Sequence, residues 1–136
     1  MSEHSAREIR STVTSKGTLE LSIANQERPV PDDNEVLVKV EAAPINPSDL
    51  ALLISFAANL DTLSVTGSGD ETVTSMELHP AMLSALKPRI GDPMPVGNEG
   101  GGVVVDAGSN AKHLIGKTVG AAGGAIGNPR LCRLLA

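Results

Sequence analysis

A run of three glycines followed directly by three valines, Gly100 to Val105, restricts this chain more than any other stretch. Adjacent glycines let a backbone pass a crowded or positive-φ corner, and consecutive β-branched residues favour a buried strand. The run lies inside a longer segment from Pro95 to Asn110 whose last five residues, Asp106 to Asn110, are turn-forming, so the strand is expected to end there. Leu114 to Gly120 then reads as a glycine turn and the start of another short strand. Glu99 stands at the mouth of the run, where a buried carboxylate needs a partner. Bonded to backbone amides or to an arginine, it would pin the glycine corner. Glu99, Gly97, Gly100 and Gly102 are therefore read as structural, and Glu99 is not read as a catalytic base.

The rest of the chain supplies further strands. Glu8 to Thr14 and Thr18 to Ile23 flank Ser15-Lys16-Gly17, and the second segment alternates apolar and polar strictly, which predicts a β-hairpin with one face on a core. Pro29, Pro31, Asp32, Asp33 and Asn34 make an irregular connection, after which Glu35 to Ala43 alternates again through Val36, Val38 and Val40. Pro44 and Pro47 bracket an extended corner at Ile45-Asn46. Asn46 as cap and Pro47 at a first helical position predict a helix with Leu50, Leu53, Ile54 and Ala57 on one face, in an apolar segment ending near Ala58. Residues 59–95 read as an inserted, partly mobile excursion, with a strand candidate at Thr72 to Leu78 and a few helical residues from Pro80 to Leu86.

Length and composition exclude several classes of function. A chain of 136 residues fits one domain with one core, burying roughly two-thirds of its unfolded surface. The expected layout is a disordered stretch over 1–8, a folded domain over 9–124 and an irregular tail over 125–136. A net charge of -5 with no basic block, and Phe56 as the one aromatic residue, leave no means of neutralising phosphates or stacking bases, so nucleic acid is not an expected partner. Cys132 is the one cysteine, which rules out an internal disulfide or a multi-cysteine zinc site within this chain and points to a reducing compartment. No apolar run approaches the ~18 residues needed to span a bilayer, and the expected location is the cytoplasm.

Few residues can carry chemistry. Asn46 and Asp49 sit at the Pro-flanked corner and admit two readings: an amide that orients a cofactor or substrate carbonyl, or the cap and first-turn acid of a helix. His4, His79 and His113 have no spacing that relates them to a carboxylate or to Cys132, so neither a nucleophilic triad nor a metal cluster is indicated. Cys132 lies between arginines that could lower its thiol pKa, or is an incidental thiol in the tail. Gly120 to Gly127 is rich in glycine and alanine and follows a strand; it reads either as a phosphate-cradling loop or as a bend beside a truncated strand. Only nine residues follow it, Pro129 among them, so the helix and further strands of a dinucleotide fold are missing.

Three segments in order, Glu35-Val36-Leu37-Val38-Lys39-Val40-Glu41-Ala42-Ala43, Ile45-Asn46-Pro47-Ser48-Asp49, and Gly97-Asn98-Glu99-Gly100-Gly101-Gly102-Val103-Val104 with Gly108 behind it, resemble the medium-chain dehydrogenase/reductase superfamily, most nearly its zinc-less quinone-oxidoreductase and enoyl-thioester-reductase branch. The resemblance runs from about Ile9 to Gly124. It implies a mainly β fold, a GroES-like partly open β-barrel related to the alcohol dehydrogenase N-terminal domain, with a short helix after the third strand. In complete members a Rossmann domain of ~150 to 200 residues follows and binds NADPH or NADH. Asn46 and Asp49 match the corner that faces the nicotinamide end of the cleft, so Asn46 is the cofactor-binding candidate, and the implied partner besides the Rossmann domain is a small-molecule substrate. Zinc-dependent members carry cysteine where this chain has Ile45-Asn46 and histidine where it has Asn98, so no metal is expected. Without a Rossmann domain these residues are expected to bind no dinucleotide and to show no turnover alone. The alternative expectation is a non-enzymatic stand-alone barrel or an inactive fragment.

Overall fold

The computed structural model describes residues 5–122 and 132–135. The fold is mainly β: nine strands, two short α-helices and several single 3-10 turns among those residues. The chain divides into two compact units, one formed by Glu8–Ala24 with Asn46–Val96, the other by the residues before Glu8, Asn25–Ile45 and the residues from Gly97 onward. Buried apolar side chains accordingly form two clusters rather than the one core expected.

The first unit contains most of a five-stranded sheet, whose ends at residues 5–7 and 25–27 belong to the second unit. β1 (Ser5–Val13) and β2 (Thr18–Glu27) form the expected hairpin, and Gly17 takes the positive φ of 79° that its turn demands. β1 starts at Ser5, so the last residues of the stretch expected to be disordered are strand. The sheet order is β4 (Ser64–Thr66), β5 (Val73–Glu77), β2, β1, β6 (Met94–Pro95), with antiparallel registers Leu19↔Met76, Val65↔Thr74 and Arg10↔Pro95. Three of these five strands come from residues 59–95, which the sequence reading treated as an excursion. That reading is corrected: the segment is integral to the sheet, and its Met76, Leu78 and Leu86 join Val13 and Leu19 in the buried cluster. The strand expected at Thr72 to Leu78 is β5; β4 was missed because it is exposed at every position and carries serine and threonine at strand positions.

Two helices belong to the same unit. α1 (Pro47–Leu53) begins where Asn46 and Pro47 predicted and ends well before Ala58. Ile54 and Ala57, expected on its apolar face, follow it and still pack on the cluster of Val13 and Leu19. α2 (Pro80–Leu83) has His79 as its cap, with Nδ1 accepting from the Ala81 amide at 3.2 Å.

The second unit contains a four-stranded sheet in the order β8 (Thr118–Ala122), β7 (Glu99–Ala107), β3 (Val36–Ala42), β9 (Cys132–Leu135). β7 pairs antiparallel with both β3 and β8, whereas β9 pairs parallel with β3. Val38, Val104, Ala107 and Ala111 form the buried cluster, with Val36, Leu114 and Val119 packed against it. Cys132–Leu135 is thus a strand, where an irregular tail was expected. Each sheet is open among the described residues, with β4 and β6 at the edges of one and β8 and β9 at the edges of the other. No helix among the described residues is long and apolar enough to cross a membrane.

Candidate functional site

Asn46 and Asp49 are brought together by α1. The Asn46 backbone amide donates to Asp49 Oδ2 at 2.8 Å, and the Asp49 amide donates to the Asn46 carbonyl at 3.0 Å. Asp49 is 5% exposed. The reciprocal bonds fix the extended Asn46 backbone (φ -93°, ψ 156°) at the helix entrance, as an acid at the third helical position does in a capping arrangement. The half-buried Asn46 side chain is therefore carried on a backbone that is already held in place.

The glycine run is assembled differently from its sequence reading. Only Gly97 takes a positive φ, 112°, so it alone requires glycine for its conformation. Gly100, Gly101 and Gly102 lie in β7 itself and do not form a corner. Gly102 is required for close approach: a Cβ there would stand 2.8 Å from the carbonyl carbon of Lys39 and 3.0 Å from Val40 Cα, and nearer still to the Lys39 carbonyl oxygen. Glu99 is exposed, so the expectation of a buried carboxylate is corrected. As the first residue of β7, opposite Ala122, it is solvated and has no corner to pin.

The buried acid of this unit is Glu35, 3% exposed, which the sequence reading passed over. Its Oε2 accepts from the Asp32 amide at 3.0 Å, and its own amide donates to the Asp32 carbonyl at 2.9 Å. Gly108 donates to the Glu35 carbonyl at 2.9 Å, and a Cβ on Gly108 would lie 2.6 Å from the carbonyl carbon of Asp32. Ser109 Oγ donates to Asp33 Oδ1 at 2.8 Å and Asn110 Nδ2 to Asn34 Oδ1 at 2.9 Å, which stitches the two turns together. The signal in the sequence was the Asp32 to Glu35 spacing after Pro31, a turn acid three residues before a second carboxylate.

Beside this unit's sheet lies an open depression of about 400 Å3 lined by Glu27, Arg28, Pro29, Val30 and Asp106. Arg28 Nη2 pairs with Asp106 Oδ2 at 3.2 Å, and both side chains remain partly exposed, so the pair is worth ~0 to 1 kcal/mol. No lining residue is a histidine, cysteine or serine, and the lining carboxylates are Glu27 and the Arg28-paired Asp106.

Burial lowers the pKa of Arg89, in the other unit, and Asp92 nearby opposes that shift. Its Nη2 donates to the Ser11 carbonyl at 3.1 Å, while its buried Nε and Nη1 have no hydrogen-bond partner among the described residues. His113 lies in the 3-10 turn Lys112–Leu114. His4 and the portion of the glycine loop from Gly123 to Gly127 lie outside the described residues, whereas Gly120 to Ala122 are the end of β8.

Among the described residues no three His, Cys, Asp or Glu side chains come together as metal ligands. A pyrophosphate site needs a strand, a glycine loop and a helix in that order; among the described residues the two α-helices, of seven and four residues, begin behind Asn46-Pro47 and His79-Pro80. A scan against protein-family models finds no match to the chain, and a search of curated proteins finds none either.

Proposed function

We propose that this chain is the GroES-like, substrate-cleft domain of a cytoplasmic, zinc-independent NAD(P)H-dependent oxidoreductase acting on a quinone, an enone or an enoyl thioester. The observation that carries the reading is the arrangement of the first and last motif segments as paired strands. Val36–Ala42 and Glu99–Ala107 lie antiparallel with Val40 opposite Gly102, the glycine that the crossing requires. The middle segment starts α1 and leaves the Asn46 amide half exposed on a fixed backbone. In that role Asn46 donates to a substrate carbonyl and holds its orientation, and Asp49 acts through the Asn46 backbone as a positioning residue. The nucleotide is held by a Rossmann domain supplied in cis or in trans.

The second reading, a non-enzymatic barrel or an inactive fragment, is favoured by one observation: the hydrogen bonds between Asn46 and Asp49 are those of a helix start and need no ligand to explain them. Titration of NADPH and NADH against the purified chain by calorimetry separates the readings in two stages. Alone, the chain is expected to bind neither; a micromolar dissociation constant, about -8 kcal/mol, would refute the assignment of nucleotide binding to another domain. With a Rossmann domain of the superfamily added in trans, quinone reduction is expected, and Asn46→Ala should lower its rate more than it lowers nucleotide affinity. No turnover in the reconstituted mixture would leave the non-enzymatic reading.

A further inference from the structure

β4 ends the five-stranded sheet, and among the described residues its outer side has no neighbouring strand. The opposite edge, β6, is two residues long and contains Pro95, which has no N–H to offer another strand. β4 has no such protection. Residues 62–69 contain neither a charge nor a proline, and alternate residues of the strand direct N–H and C=O groups away from β5.

The side chains at this edge are also unsatisfied. Val65 registers with Thr74 and Thr74 with Leu21, while Met76 registers with Leu19. Val65 therefore shares the sheet face of the buried Leu19 and Met76, and so does Leu63, two residues earlier on extended backbone (φ -62°, ψ 126°). Yet Val65 is 59% exposed and Leu63 46%. The apolar face of the sheet runs out uncovered at the same edge that lacks a hydrogen-bonding neighbour.

We propose that β4 pairs antiparallel with β4 of a second copy of this chain, about a two-fold axis that passes through Ser64 perpendicular to the sheet and joins two five-stranded sheets into one. Such an axis keeps both apolar faces on the same side, and the contact closes as a dimer. With Ser64 facing Ser64 of the other copy, Leu63 falls opposite Val65 of the other copy and Val65 opposite its Leu63. The four exposed side chains then cover one another as two cross-strand pairs. A two-fold at Ser64 closes a symmetric ladder whether that residue takes a hydrogen-bonded or a non-hydrogen-bonded position. The occupant is a second copy because the edge is complementary to itself in this register. Each chain carries a net charge of -5, and the uncharged stretch lets two copies approach with the nearest acids along the chain, Asp61 and Asp70, outside the ladder.

The test uses a chain carrying Cys132→Ser and Ser64→Cys. Directly opposed residues on antiparallel strands have Cα atoms ~4.5 to 5.5 Å apart, within the ~4.4 to 6.8 Å that a disulfide accepts. Under mild oxidation, disulfide-linked dimer on a non-reducing gel should form at least ten times faster than with Lys16→Cys, in the exposed hairpin turn, replacing Ser64→Cys. Equal rates overturn the proposal. Sedimentation of the unmodified chain gives an independent reading, with a dimer expected at ~0.1 mM. Val65→Lys places a charge in each cross-strand pair and should leave a monomer whose far-ultraviolet circular dichroism is unchanged. Val65→Thr, which keeps a β-branched strand residue, should weaken the dimer at least tenfold if the lysine variant does not fold. A monomer of the unmodified chain at that concentration refutes the pairing, as does a dimer indifferent to these substitutions.

Discussion

Gly102→Ala tests the strand crossing on which the second sheet depends. The added Cβ would stand 2.8 Å from the Lys39 carbonyl carbon, against the ~3.4 Å or more of an ordinary contact, and closer to the carbonyl oxygen. The obstacle is backbone on a neighbouring strand, so no side-chain rotation relieves it. β3 has to move away by at least ~0.6 Å, which strains the pairs Val40↔Gly102 and Lys39↔Val103 and loosens the packing of Val38 on Val104. Overpacking of this kind costs ~1 to 3 kcal/mol, and two weakened backbone hydrogen bonds add ~0.5 to 1.5 kcal/mol each. The expected loss is about 3 kcal/mol of a total near 5 to 15 kcal/mol, or about 10 °C in Tm. The chain has no tryptophan or tyrosine, so the assay is urea unfolding followed by far-ultraviolet circular dichroism. The control is Gly101→Ala in the same strand, whose Cβ would meet only the Val119 carbonyl oxygen at 3.6 Å, a normal contact. It should change stability by less than ~1 kcal/mol, because alanine also lowers the entropy of the unfolded chain. Equal unfolding midpoints for the two variants would refute the argument that close strand approach, and not the glycine run as such, sets the requirement.

Substitutions at two residues of the other unit test its buried polar groups. Asp49→Ala removes the carboxylate that holds the Asn46 amide and should cost ~1 to 3 kcal/mol in the same urea assay, with Asp49→Asn, which keeps an acceptor, in between; an unchanged midpoint would mean that the helix start is held by other contacts. Arg89→Met keeps length and volume while removing a guanidinium whose Nε and Nη1 are buried without partners, so stability should be unchanged or rise by up to ~2 kcal/mol. A loss greater than ~2 kcal/mol would show that Arg89 is paired with an acid such as Asp92 and is not a buried cost.

Local chemistry determined much of this protein from sequence alone. The strands expected at Thr18 to Ile23 and Val36 to Val40, the turn at Gly17 and the Asn46-Pro47 helix start each depend on neighbours a few residues away, and all appear where the pattern put them, although Leu37 is buried where strict alternation would expose it. Tertiary structure decided the rest. Outside the strand expected at Thr72 to Leu78, residues 59–95 looked irregular because β4 is a strand only through its pairing with β5, which in turn pairs with β2 some fifty residues earlier. Glu99 and Glu35 are both acids beside a strand, yet only Glu35 is buried, since the turn at Asp32 and Gly108 folds over it while Glu99 begins a strand next to solvent. The glycine run announced close approach, but not that Gly97 needs its dihedral and Gly102 its lack of a Cβ. That distinction depends on Lys39, sixty-three positions away, and a contact of that separation leaves no periodicity in the chain to be read.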